Sequence, residues 1–197
     1  MAGDATTLQA DSGQRRERIL AAALTLFASR GYHATPVPDI AMDAGIATGT
    51  IYRYFATKEL LLNAVFQAWQ GRLNDCLAAD LPEDVSARER FSTCWRRHIG
   101  WLRAHPVAAL FLDSHAQLVE LDAESRALAL AYAVSLDAHL EAAMARGLVR
   151  ALPVDLAVAM IRGAALGMAR DSREGRIVLS DEMISTMEDM LWRAISA

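Results

Sequence analysis

DIAMDAGIATGTIYRYFATKE, residues 39–59, decides the fold. Val37, Ile40, Ala41 and Ala44 recur at helical spacing, which predicts a short helix over about 37–44. A second short helix follows over about 48–54, with Ile51 and the next residue, Phe55, turned inward together with Ile46. Between the two stands Gly45-Ile46-Ala47, which has the length and composition of a helix-turn-helix turn. There a glycine permits the positive φ that swings the second helix across the first.

Upstream, Ile19, Ala23, Leu26 and Phe27 share one helix face, and Gly31 follows Arg30 as a left-handed cap would. A first helix is therefore expected from about Gln14 to about Ser29, preceded by a mobile polar arm over residues 1–12. Thr35-Pro36 reads as a helix start, in which the hydroxyl caps free N–H groups and proline suits the first turn. Downstream, Thr57 caps a long helix through Leu60, Leu61, Ala64 and Val65 to about Ala79, ended by Leu81-Pro82. Further helices are expected at about 84–104, 106–114, 116–147, 153–170 and 181–196, with breaks at His105-Pro106, Gly147, Pro153 and 173–180.

The whole is an all-α fold of about nine helices. A three-helix helix-turn-helix domain over 13–60 follows the arm, and a larger helical domain occupies 61–197. The hydrophobic share of 53%, with only 5 prolines, favours helices over a many-stranded sheet. Net charge is −4, which excludes a generally basic nucleic-acid coat, but residues 14–60 carry a balance of +2 and residues 61–197 a balance of −4. No stretch approaches the roughly 18 uncharged apolar residues of a membrane span, and the N-terminus lacks a signal-peptide core. Cys76 and Cys94 form no CxxC pair, so a cytoplasmic chain with reduced cysteines is expected.

The second helix of a helix-turn-helix presents side chains to base edges in the major groove. Thr48, Thr50, Tyr52 and Arg53 offer hydroxyls and a guanidinium for that task, and Gly49 lets the backbone approach DNA closely. Thr35 and Lys58 stand at helix starts, where the dipole favours phosphate. A solvated turn with amphipathic tyrosines is the plainer alternative.

Residues 16–61 resemble the N-terminal domain of TetR-type transcriptional repressors: an apolar helix, then F-x-x-x-G-Y-x-x-T, D-I-A-x-x-A-G and G-T-I-Y-x-Y-F-x-x-K. The resemblance implies that Thr35, Thr48, Gly49, Thr50, Tyr52, Arg53, Tyr54 and Lys58 line a DNA face. It also implies that the helix from Lys58 leads to a ligand-sensing domain. Many relatives carry serine and lysine where this chain has Ala47 and Thr48, and a charged residue at Pro38, so a helix cap and a phosphate contact are absent here.

Beyond residue 82 the resemblance reaches only helix number and length. Phe91, Trp95, His98, Trp101, Leu102, Phe111, His115, Tyr132, Leu136 and His139 mix aromatics, aliphatics and imidazoles at helical spacing, as a mostly apolar ligand pocket would. Plain core packing is the competing explanation, and no metal-ligand spacing is present, so neither a metal nor a cofactor is expected. Ala159, Gly163, Ala164 and Gly167 allow close backbone approach, and Met183, Met187, Met190 and Leu191 form an apolar stripe; together they fit a two-fold dimer seam, with packing inside one chain as the plainer alternative. The expected protein is a dimeric repressor on a palindromic DNA operator, released by a small-molecule inducer. One rival is a DNA-binding regulator without a small ligand. The other is an all-α enzyme using His98, His105 or His115 with Asp113; it has no nucleophile motif or phosphate loop, so no enzyme is expected.

Overall fold

The computed structural model describes the backbone of residues 3–78, 85–116 and 118–197, and side chains within those ranges from residue 12 onward, apart from 132 and 135. Among the described residues there are nine α-helices and no strand, only an isolated bridge between Val149 and Ser196. In chain order they are α1 Gly3–Arg30, α2 Val37–Asp43, α3 Thr48–Tyr54, α4 Lys58–Ala78, α5 Ala87–Ala104, α6 Pro106–His115, α7 Ala123–Ala145, α8 Val154–Arg173 and α9 Asp181–Ile195. They form two compact units: residues 1–69 with 110–126, and residues 70–109 with 127–197. The first unit thus extends past the expected 13–60 segment, through the start of α4 and a stretch distant in sequence.

In unit 1 the spaced apolar residues of α1 are buried as their period requires, with Ile19, Ala23 and Phe27 fully inside. Ile40, Ile51, Leu61, Leu62, Val65, Phe66 and Phe111 complete the core. α1 is helical from Gly3, where a mobile arm was expected up to residue 12; extending a formed helix is far easier than nucleating one, and no proline intervenes. It closes on Gly31, whose φ of 83° places it in the left-handed region and whose N–H donates to Phe27 O at 2.9 Å.

Unit 2 packs α5 against α8 and α9. α5 starts with a reciprocal capping box: Glu89 N–H donates to Ser86 Oγ at 3.2 Å, and Ser86 N–H to Glu89 Oε2 at 3.0 Å. The expected break at Leu81-Pro82 lies outside the described residues. Trp95 is buried on α5 and donates its indole N–H to Ile184 O at 3.1 Å, fixing α9 alongside. Glu188, 1% exposed on α9, receives Arg96 Nε at 2.9 Å and Arg88 Nη2 at 3.0 Å, so its charge is paired inside the packing.

α7 reaches the length and average apolarity of a membrane span, with mean hydropathy 1.2, although the sequence reading finds no such segment. Its alanine-rich composition attains that average around Asp137 and His139. In unit 2 its residues Leu136, His139 and Leu140 wall a cavity.

Candidate functional site

The turn between α2 and α3 is built as its sequence requires. Gly45 has a φ of 64°, and Ile46 N–H reaches back to Ala41 O at 3.0 Å to close α2. Arg18 on α1 then clamps the turn: Nη2 donates to Ala44 O at 2.7 Å and to Gly45 O at 3.1 Å, and Nε to Ala44 O at 3.1 Å. The guanidinium thereby satisfies carbonyls that α2 leaves unpaired at its end. Nothing in the local pattern around Arg18 signals this role, because its partners lie 26 and 27 residues away.

α3 rests on this scaffold through Ile51, 1% exposed, and Phe55, 6% exposed. Its other side is open: Gly49 and Arg53 are exposed, Tyr52 is 49% exposed, and Thr48, Thr50 and Tyr54 are half-buried. Tyr54 Oη lies 3.1 Å from Ser12 Oγ. The helix starts at Ala47 with no side-chain cap, as the missing serine foretold.

Thr35 departs from the expected DNA face. It is fully buried, and its hydroxyl donates to Gly31 O at 2.8 Å and Leu26 O at 3.3 Å, so it fastens the α1–α2 connection and cannot meet phosphate. The N-cap of α2 is Pro36, without a side-chain cap bond. Lys58 keeps its place at the start of α4, half-buried, with Nζ 4.3 Å from the Tyr32 ring centroid, and Thr57 Oγ1 caps that helix by accepting Leu60 N–H at 3.2 Å. Burial pulls the Lys58 ammonium below its usual range, while Glu59 and Glu120 oppose that shift.

Behind the reader, a polar knot fastens α4 to the segment before α7. Asn63 is 4% exposed and uses its whole amide: Nδ2 donates to Glu59 O at 2.8 Å and Glu120 O at 2.9 Å, and Oδ1 accepts Asp122 N–H at 2.8 Å and the Ser125 hydroxyl at 2.7 Å. Gln67 Nε2 adds Asp122 and Ser125, and Asp122 Oδ1 caps α7 by accepting Ser125 N–H at 2.8 Å. That bond, ahead of all other causes, holds the Asp122 carboxyl below its usual range.

Unit 2 contains a cavity of about 390 Å³. Five of the expected pocket residues line it: Phe91, Trp95, His98, Leu136 and His139. Trp101 and Leu102 are buried on α5 but do not reach the cavity wall. Phe111 and His115 belong to the core of unit 1, where Phe111 lies 6.3 Å from Phe27, 6.2 Å from Phe66 and 4.6 Å from His115 between ring centroids. Helical spacing tells which residues share a face, not which element that face meets. The side chain of Tyr132 lies outside the described residues. Arg90, Leu140, Arg146, Val149, Ile161, Trp192 and Ile195 also line the cavity without having been anticipated.

His98 is 6% exposed, and burial, with a smaller push from Arg162, brings its pKa down to about 4. The imidazole is neutral in the fold at neutral pH, whereas an unfolded chain takes up a proton below about 6.5. Stability from this residue is complete above that value and is lost as pH falls toward the folded pKa. We expect the chain to lose about 2 kcal/mol between pH about 7.5 and about 5 from this source. Urea midpoints for wild type and His98→Asn check this, since the variant should show a flatter slope across that window.

On the expected dimer seam, Ala159, Gly163 and Met190 are exposed, and Ala164, Gly167, Met183 and Met187 are half-buried. Leu191 turns into the core of its own unit and is 5% exposed.

A helix-turn-helix held rigid from behind, with a polar reading helix turned outward, defines a DNA-binding protein. Residues 19–65 match the family model described as bacterial regulatory proteins, tetR family, and residues 66–197 match tetracyclin repressor-like, C-terminal domain. The chain belongs to the TetR family of DNA-binding transcriptional repressors. A fatty acid metabolism regulator protein of Bacillus subtilis (strain 168) is 35% identical over 85 residues, which span 43% of this chain and 44% of that protein. The HTH-type transcriptional repressor KstR2 of Rhodococcus jostii (strain RHA1) is 29% identical over 181 residues, 85% of this chain and 84% of that one. The crystal structure of the transcriptional regulator FadR from Bacillus subtilis in complex with stearoyl-CoA superimposes with a TM-score of 0.72 at 26% identity, covering 89% of this chain and 96% of that chain.

Proposed function

We propose that the protein is a homodimeric repressor that reads a palindromic operator with α3 and releases it when a small molecule fills the cavity of unit 2. The observation that carries the reading is the outward set on α3, with Tyr52 and Arg53 exposed on a helix whose inner side, Ile51, is buried. Thr48, Gly49, Thr50, Tyr54 and Lys58 complete the surface offered to DNA. The exposed small residues Ala159 and Gly163 on α8, with exposed Met190 on α9, support a two-fold seam between copies. The cavity, walled mostly by apolar groups, supports an inducer over a ligand-free regulator, and the stearoyl-CoA bound to the related FadR carries an apolar acyl chain of the kind such walls accept. The protein acts in the cytoplasm, where its DNA is.

Operator binding at fixed salt tests the reader. Arg53→Ala should weaken operator binding by about 1–3 kcal/mol and relax preference at one base pair. Equal losses on operator and random DNA would make Arg53 a phosphate contact instead. Light scattering at micromolar concentration tests the dimer, and a monomer there would sink that part of the reading.

A further inference from the structure

The end of α3 has a neighbour on α1. Ser12 and Arg16 stand about one turn apart on that helix, both exposed, and each meets a residue at the close of the reading helix. Ser12 Oγ lies 3.1 Å from Tyr54 Oη, and Arg16 Cζ lies over the ring of Phe55, the C-cap of α3, 5.6 Å from its centroid. One exposed turn of α1 is thus laid against the C-terminal end of α3. A ring face attracts the guanidinium charge without occupying its N–H donors, and it restrains a long side chain before any ligand arrives. The positions three and four away from Arg16 on α1 are Ser12, Gly13, Ile19 and Leu20, none of them acidic.

α3 itself, Thr48–Tyr54, carries a single cation, Arg53, which is little charge for a helix that must lie among phosphates. Two other arginines of the front segment are engaged elsewhere: Arg18 grips the carbonyls of Ala44 and Gly45, and Arg30 Nη1 lies 2.7 Å from Asp39 Oδ2. Resting on the DNA-reading assignment above, we propose that Arg16 is a phosphate contact, offered by α1 at the Arg53–Tyr54 end of α3, which holds the duplex backbone without reading a base. Its guanidinium matches phosphate oxygens as a fork, with Phe55 behind it as a fixed backing. The DNA surface then spans two helices, α3 for the bases and the exposed turn of α1 for the backbone beside them.

A phosphate contact needs no operator, so fluorescence anisotropy of the full chain on a random-sequence duplex of about 30 base pairs, at KCl from about 50 to about 200 mM, tests it. Arg16→Gln should flatten the slope of log K against log [KCl] by about one for each engaged head and weaken binding roughly fivefold to tenfold at about 0.1 M salt. Arg16→Lys keeps the charge and should keep the wild-type slope. A purely structural role over Phe55 would lower the melting temperature and leave the slope of the folded protein alone. Phenylglyoxal modification of the wild-type chain, read by peptide mass, gives a second measurement that needs no variant: bound duplex should shield Arg16. An Arg16→Lys slope as flat as that of Arg16→Gln, or Arg16 modified equally with and without duplex, would overturn the proposal. A steep wild-type slope that Arg16→Gln leaves unmoved would overturn the phosphate contact and keep the DNA reading, whereas no duplex binding at any salt would overturn both.

Discussion

Phe111→Ala should lower the stability of the chain by about 3–5 kcal/mol, because it empties a fully buried ring site between Phe27, Phe66 and His115. The effect belongs to packing, so ligand titration well below the unfolding transition should give wild-type affinity. Denaturant unfolding and titration on the same preparation check both halves. A variant with unchanged stability and impaired ligand binding would return Phe111 to the pocket that the sequence reading assigned it.

Asn63→Leu carries the second large effect. Leucine keeps the branching and heavy-atom count with bulkier methyl groups, and Glu120 O, Asp122 N–H and the Ser125 hydroxyl each lose a partner in a buried setting. Unsatisfied buried groups cost about 1–3 kcal/mol each, partly recovered by relaxation and water, which places the expected loss at about 3 kcal/mol or more. Amide exchange should quicken first at Asp122 and Ser125, whose N–H groups depend on this knot directly or through Asp122. Unchanged protection there would mean that the network is ornamental to the fold.

The front of the chain was legible because its signals are local. Gly31 and Gly45 adopt the left-handed conformations their positions called for, Thr57 caps α4, and α3 falls on residues 48–54 as its pattern predicts. Local signals also have limits. Thr35 looks like a cap in sequence, yet its hydroxyl serves carbonyls behind it, since burial decided which partner was within reach. The helix expected from about residue 116 begins instead at Ala123, and the cap at Asp122, with Ser125 three residues on, is the sequence signal for that start. Arg18, Asn63 and Arg146 lay beyond sequence reading for a different reason: polar residues on helices have no period of their own, and their partners are set by tertiary structure.

The Arg18 clamp has a mechanical consequence. Because α1 grips the carbonyls at the end of α2 and the start of the turn, the reading helix has no hinge of its own. Such a head is a rigid die: it can be lifted from its groove or set into it, but not reshaped. In the ligand-switched dimer proposed above, a switch would then act by displacing whole heads, so that operator affinity would fall through lost registry between two imprints on the duplex, while each α3 keeps its form.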